Sequence, residues 1–339
     1  MGLISKESKE LLNNIFYFDV HGHIEKTLPL ILRILSRSPI PKDIKLSELK
    51  KTGVNGFIIC AIGDPNSFRK HKVDAFTSVK KQLTKIKRNI RKTGGIVARS
   101  AADLINAASE NRPVFVLGIE GGDFIEDDSE RLSFVYKEGI RVLAPVHYSK
   151  NMIGSIEFGW GGKTIPQEEQ TGLTSFGKTI VKKANELGII VDLAHADEKT
   201  LMDVVAVTET PVFCSHTGPR SLQNFPRYIS DAAIKAVAGT GGLIGMWPFY
   251  YHGSGIRDLN TFSLYAKHII DLTGADNLAI GTDINGVPGN MEGYENLHDT
   301  DRLIHSLSAC NLSEDEIKLV AGGNFIRLFE NIMKQDLRE

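Results

Sequence analysis

The sequence predicts an α/β protein, a single (β/α)8 TIM barrel spanning residues 1–339. Three observations predict it. Eight short apolar runs follow one another along the chain, the segments between them are long enough to return as helices, and histidines and carboxylates gather where the runs end. A length of 339 residues suits this fold, whose members span about 200 to over 400 residues as one unit.

The runs cover residues 15–20, 54–61, 114–119, 140–146, 189–193, 212–214, 242–246 and 278–281. They are apolar throughout instead of alternating, which marks strands buried on both faces, as in parallel sheets. Between the second and third runs, Phe76, Val79, Leu83, Ile86 and Ile90 recur at steps of three and four, lining one side of a helix. Lys80, Lys81, Lys85, Lys87, Arg88, Arg91 and Lys92 take the remainder, the pattern of a solvated outer face more than of a surface for an acidic partner. Residues 198–205 read as a short helix before Pro211, 230–238 as the helix after the sixth run, and 264–273 as the one after the seventh. Ser313 and Glu316 form a capping box that starts a final helix through Ile317 and Leu319. The stretch 148–174, with Gly154, Gly159, Gly161, Gly162 and Pro166, is too long for a plain connection and reads as a flap over the site.

Composition narrows the function. Hydrophobic residues at 42% and charged ones at 24% are those of a globular protein with a sizeable core. With 40 basic and 41 acidic side chains the chain lacks the basic excess that a nucleic-acid partner selects. The opening MGLISKESKELLNN is a polar lead-in without an apolar signal core, and Lys6 breaks a myristoylation pattern. The closing ENIMKQDLRE carries no hydrophobic tail, so no membrane partner is expected. Cys60, Cys214 and Cys310, odd in number and without a CxxC pair, suit buried thiols in a cytoplasmic protein. A homodimer is compatible with the sequence.

A barrel does its chemistry at the C-terminal ends of its strands. The first run leads into Asp19, His21 and His23, the third into Glu120, Gly121 and Gly122, and the fourth, fifth and sixth into His147, His195 and His216. The eighth ends at Asp283, the second offers only Ala61 to Asp64, and the seventh offers Trp247. Five of the ten histidines therefore stand at these ends, where chance would place fewer than about one. Imidazoles and a carboxylate converging on one rim suit divalent first-row metals. His21 and His23, two apart on a strand, present one face and could share an ion. His195 and His216 could hold a second, with Glu120 shared between the two and the glycines after it leaving room for ions or substrate. Such a pair lowers the pKa of bound water to about 7, giving a nucleophile at neutral pH. Asp283 is placed to take and return the proton, and His147 to donate to the oxyanion of an attacked carbonyl.

These residues resemble the membrane dipeptidase (renal dipeptidase) family of metal-dependent hydrolases. The likeness runs from Asp19 to Gly322-Gly323-Asn324-Phe325-Ile326-Arg327-Leu328-Phe329, which is similar to that family's C-terminal signature. Its most specific pieces are Gly172-Leu173-Thr174-Ser175-Phe176-Gly177, Val191-Asp192-Leu193-Ala194-His195 and Cys214-Ser215-His216. The resemblance implies a binuclear centre, zinc being the expected metal: His21 and residue 23 on one ion, His195 and His216 on the other, Glu120 bridging. It implies that His147 polarises the scissile carbonyl, that Asp283 shuttles the proton, and that Arg227 holds the C-terminal carboxylate of a dipeptide, a task suited to a bidentate guanidinium.

The family pattern has Asp where this chain has His23, Asp where Asn285 stands, and commonly Asn where Tyr148 follows His147. Arg220 competes with Arg227 for the carboxylate, and Trp247 lines either the pocket or the core. His71, His252, His268, His298 and His305 fall in loops or helices without a role. A barrel hydrolase for lactones, phosphoesters or nucleic acid, and a non-catalytic metal-binding barrel, are the alternatives that this pattern leaves.

Overall fold

The computed structural model describes residues 6–24, 44–65 and 73–333. His71 and the outermost residues of both termini lie outside that set. All eight apolar runs form strands: β1 (Phe18–Gly22), β2 (Gly56–Ile62), β4 (Val114–Glu120), β5 (Ile140–Ala144), β6 (Ile190–Val191), β7 (Phe213–Thr217), β8 (Leu243–Met246) and β11 (Leu278–Ile280). Three short strands are added: β3 (Ile96–Val97) beside β4, and the antiparallel pair β9 (Tyr250–Tyr251) and β10 (Ser254–Gly255).

The long strands run parallel in two curled arcs, β1-β2-β4-β5-β6 and β7-β8-β11. Isolated parallel bridges join the arcs at Asp192↔Phe213 and at Gly22↔Ile284. Order and direction are those of the (β/α)8 barrel, with the outer layer made by α2 (Ala75–Lys92), α3 (Ala101–Ser109), α4 (Glu130–Lys137), α5 (Ser175–Glu186), α6 (Glu198–Val205), α7 (Asp231–Gly239), α8 (Leu259–Thr273) and α9 (Thr300–Ser308).

Both faces of the strands are buried, as their unbroken apolar runs require. Phe18, Val20, Ile58, Cys60, Val114 and Val116 form one cluster with the last helix, α11 (Asn324–Met333), whose Phe325 stacks on Phe18 at 4.6 Å. Their alternating neighbours Phe57, Ile59, Phe115 and Leu117 join Val79, Leu83, Ile86 and Ile90 of α2 in the other. Helix starts follow their caps. Asp74, Ser100, Thr174, Asp197, Ser230, Asp258 and Ser313 each accept a hydrogen bond from the backbone amide three residues on, an arrangement worth about 1 kcal/mol apiece.

The polar lead-in forms helix α1 (Lys6–Asn14), where the sequence suggested none. Helix α8 starts at Leu259, five residues before the expected 264, because Asp258 caps Thr261. The final helix is broken. α10 (Glu314–Lys318) keeps the Ser313/Glu316 capping box, the chain then kinks through Leu319–Gly323, and α11 follows. Gly322 sits there because a side chain would press within 2.6 Å of the Phe16 carbonyl. Among the described residues no helix is long and apolar enough to cross a membrane.

Candidate metal centre and active site

Glu120 closes β4 and is the hub. Its Oε1 lies 3.1 Å from His195 Nε2, 3.3 Å from His21 Nε2 and 3.7 Å from His216 Nε2, and its Oε2 lies 3.4 Å from His23 Nε2 and 3.6 Å from His147 Nε2. All six side chains are buried. Four separated stretches of sequence thus deliver five imidazoles to one carboxylate. Asp283 stands at the edge, its Oδ1 3.2 Å from His23 Nε2 and 3.8 Å from His21 Nε2.

Charge in this pocket is far from its aqueous balance. Burial opposes ionisation of Glu120, yet His147 and His21 outweigh it and hold the carboxyl well below its usual range. Burial, reinforced by Arg227, keeps His195 and His216 neutral, the form in which imidazole binds a metal. Burial also works against protonating His147, but the carboxylates of Glu120 and Asp64 prevail and raise its pKa. His21 Nε2, Glu120 Oε1 and Asp283 Oδ1 are buried without any hydrogen-bond partner. Orphaned polar atoms at this depth cost about 1–3 kcal/mol each unless something pairs with them, and this donor set fits a divalent cation. Three groups bring ligand atoms within 4.8 Å of one another: His21, His23 and Glu120; Glu120, His147 and His195; and His21, Asp192 and His216.

The backbone is bent to present these groups. His195 and Asp283 both adopt left-handed φ, 70° and 52°, a conformation that costs a non-glycine residue about 1–3 kcal/mol and is concentrated at functional sites. Asp19 clasps the first strand to the last: Oδ1 accepts from the amides of His21 (3.1 Å) and Thr282 (2.9 Å), and Oδ2 accepts from the Thr282 hydroxyl. Asn285 explains its own departure from the family pattern. Its amide nitrogen donates to the carbonyls of His23 and Ile44 while its oxygen accepts from Ile44 N, a combination that an aspartate cannot make.

The expected residues converge, with three refinements. Gly121 and Gly122 do not open space for ions or substrate. A side chain at 121 would crowd Asp64 and one at 122 the Pro145 carbonyl, so these glycines let neighbouring chain pack against β4. His147 lies three residues beyond the end of β5 and His195 four beyond β6, whereas His216 lies inside β7. Asp64, passed over in the sequence, fixes His147: its Oδ2 is 2.6 Å from His147 Nδ1. Its position at the end of β2 was the available signal.

Between the two arginines the geometry is plain. Arg220 is engaged by Glu157 at 2.5 Å and by the carbonyls of Tyr228 and Pro226. Arg227 is buried beside the histidines, its Nη1 2.7 Å from His195 Nδ1, and its Nε and Nη2 have no partner. Those two atoms form one edge of the guanidinium, which is the edge that takes a carboxylate. Trp247 lies beneath, 5.0 Å from the guanidinium and 5.3 Å from His216, so it lines the pocket. The 148–174 loop packs beside these groups, with Phe158 6.0 Å from Phe225, which stacks on Trp247. Its segment 157–165 is pinned by the Phe158↔Thr164 bridge, and Trp160 packs edge-on against Tyr148, which meets both His147 and His195.

Comparison with known proteins agrees with this picture. The family described as "Membrane dipeptidase (Peptidase family M19)" matches residues 5–338. An uncharacterized protein in the pqqA 5' region of Klebsiella pneumoniae is 26% identical over 246 residues, 70% of this chain and 88% of that protein. The probable dipeptidase PvdM from Pseudomonas aeruginosa superposes with a TM-score of 0.83 at 18% identity, covering 98% of this chain and 99% of that one. A metallopeptidase from Rhodobacter sphaeroides, liganded with a phosphinate mimic of the dipeptide L-Ala-D-Ala, gives 0.79 at 20% identity, covering 94% and 99%.

Proposed function

Because the chain belongs to the membrane dipeptidase family, peptidase family M19, and is by that membership a metal-dependent dipeptidase, we propose how its own residues divide the work. The observation that carries the reading is the convergence of His21, His23, His195 and His216 on the single buried carboxylate of Glu120. His21 and His23 would hold one divalent ion and His195 and His216 a second, with Glu120 available to both. Zinc is the proposed metal, since imidazole and carboxylate suit it. Ions bound there would supply Lewis acidity and make water acidic enough to act as a nucleophile near neutral pH.

The remaining residues bind the substrate and move protons. The free edge of Arg227 takes the dipeptide's C-terminal carboxylate in a bidentate grip. His147, held by Asp64 and kept protonated by its carboxylate neighbours, donates from Nε2 to the scissile carbonyl oxygen as negative charge develops on it. Asp283 accepts the proton of the attacking water on Oδ1 and delivers it to the leaving amine as the C–N bond breaks. His23 in place of the family's aspartate removes one negative charge from this side of the pocket, leaving Glu120 and Asp283 as the carboxylates that face its Nε2, at 3.4 and 3.2 Å. The phosphinate ligand of the Rhodobacter sphaeroides relative extends the proposal to dipeptides with a D-residue in the second position. A cytoplasmic setting is proposed from the three buried, unpaired thiols.

The test is metal analysis joined to a substrate panel of dipeptides with L- and D-residues at the second position, a lactone and a phosphodiester. Hydrolysis of dipeptides by metal-loaded protein is the expected result. Cleavage of the lactone or phosphodiester with every dipeptide untouched would replace the reading, and bound metal with no hydrolysis at all would make the barrel non-catalytic.

A further inference from the structure

A layer of polar groups lies behind the ring of imidazoles and is not used by the chemistry above. Ser215, inside β7 and fully buried, places its Oγ 3.2 Å from His21 Nδ1 and 2.8 Å from His216 Nδ1. The two rings lie face to face at a tilt of 36°, centroids 4.1 Å apart, with their opposite nitrogens aimed at Glu120 Oε1. Asp192, equally buried, accepts with Oδ1 from the amides of Ser215 (2.9 Å) and Ala194 (3.0 Å). Its Oδ2 lies 4.0 Å from His21 Nδ1 and has no hydrogen-bond partner.

Donor and acceptor counting then leaves one arrangement. An imidazole that offers Nε2 to an ion carries its proton on Nδ1 and must donate it to a neighbouring acceptor. His21 and His216 both present Nδ1 to the same hydroxyl, and a serine oxygen has two lone pairs, enough for both. The hydroxyl's own proton needs a third acceptor, and the Asp192 carboxylate is the anion behind it. Among the described residues two other groups stand near His21 Nδ1: Asp192 Oδ2 at 4.0 Å, beyond hydrogen-bond length, and the Cys60 thiol at 3.9 Å, a weak acceptor.

We propose that Ser215 is a positioning residue shared by both ion sites, one oxygen that accepts from His21 and from His216 and so fixes the tautomer and direction of a ligand to each ion, with Asp192 receiving the serine proton. This rests on the reading of the Glu120 pocket as a two-ion centre. The two sites are therefore linked through their ligands' backs as well as through Glu120, and loss of the hydroxyl weakens both together.

Calorimetric titration of Zn2+ into metal-free protein tests this. Ser215→Ala should lower both Zn2+ affinities by about 10- to 100-fold, the usual consequence of removing a partner behind a metal-bound histidine. Cys60→Ala, which opens space behind His21 without removing an oxygen acceptor, should leave both affinities unchanged. A loss confined to one site, retention of both affinities in Ser215→Ala, or a third ion held by His21, Asp192 and His216 would overturn the inference. Absence of Zn2+ uptake by the unmodified protein would overturn it together with the metal reading, whereas unimpaired uptake by Ser215→Ala overturns the shared serine alone. Should Ser215→Ala fail to fold, nitrogen-15 histidine spectra of the unmodified Zn2+-loaded protein decide the matter: His21 and His216 should both appear as Nδ1–H tautomers, and an Nε2–H tautomer for either ring would refute the proposal.

Discussion

Arg227 gives the sharpest prediction about the substrate. Arg227→Met keeps a stem of similar length over Trp247, 5.0 Å from the guanidinium, and removes the Nε and Nη2 donors that have no partner inside the protein. Two hydrogen bonds to a charged group contribute about 1.5–3 kcal/mol each, and truncating one side of a buried charge pair costs about 2–5 kcal/mol. The overlap, about 3–5 kcal/mol, corresponds to a fall of roughly 150- to 5,000-fold in kcat/KM. The grip is the same in ground and transition states, so the loss should appear mainly in KM. Steady-state kinetics on a dipeptide and on its C-terminal amide, with metal content measured in parallel, reads this out. The native protein should prefer the free acid strongly, and Arg227→Met should lose that preference with its metal content intact. A variant that still discriminates acid from amide, or one that loses metal while KM holds, would refute the assignment.

Other consequences follow from single contacts. Asp64→Asn leaves an acceptor for His147 Nδ1 but removes one of the two carboxylate charges, beside that of Glu120, that raise the ring's pKa, so kcat should fall by about 10² with metal content unchanged; metal loss would instead make His147 a ligand. Gly281→Ala would drive a methyl group into the Ser215 carbonyl and to within 3.2 Å of Val20, costing at least about 1–3 kcal/mol in thermal unfolding, and a melting temperature equal to the native one would contradict the packing described. Burial raises the Asp123 carboxyl to about 6 from 3.8, against the pull of Asn151 and Ser149. Its proton is held more tightly in the folded than in the unfolded state, so this site's contribution is complete below about pH 4 and is lost as pH rises through 6, by up to about 3 kcal/mol. Asp123→Asn should remove that slope, seen as a melting-temperature difference that moves in the variant's favour between pH 4 and pH 7; a difference independent of pH would contradict it.

The barrel and most of its site were legible because both depend on local pattern. Short unbroken apolar runs rich in β-branched and aromatic residues, such as residues 114–119, mark strands buried on both faces, and a histidine or glutamate where such a run stops has few structural reasons to be there. What was not legible depends on distant partners. The service of Asp64 to His147 joins residues 83 apart in sequence. The role of Asn285 needs Ile44 and His23 beside it. β6 ends at Val191 because Leu193 N turns to the Phe213 carbonyl and Asp192 caps two amides, which carries His195 into its left-handed turn four residues past the strand. The hairpin of β9 and β10 turns at His252 and Gly253, both at positive φ, and the sequence did carry that signal in its glycine.

The central claim is that His21, His23, His195 and His216 gather divalent ions around Glu120. Anomalous diffraction at the zinc edge, from crystals grown with Zn2+, tests it most directly. Two peaks are expected, one beside His21 and His23 and one beside His195 and His216, with Glu120 between them. Zinc bound elsewhere, with the Glu120 pocket empty at saturating metal, would contradict it.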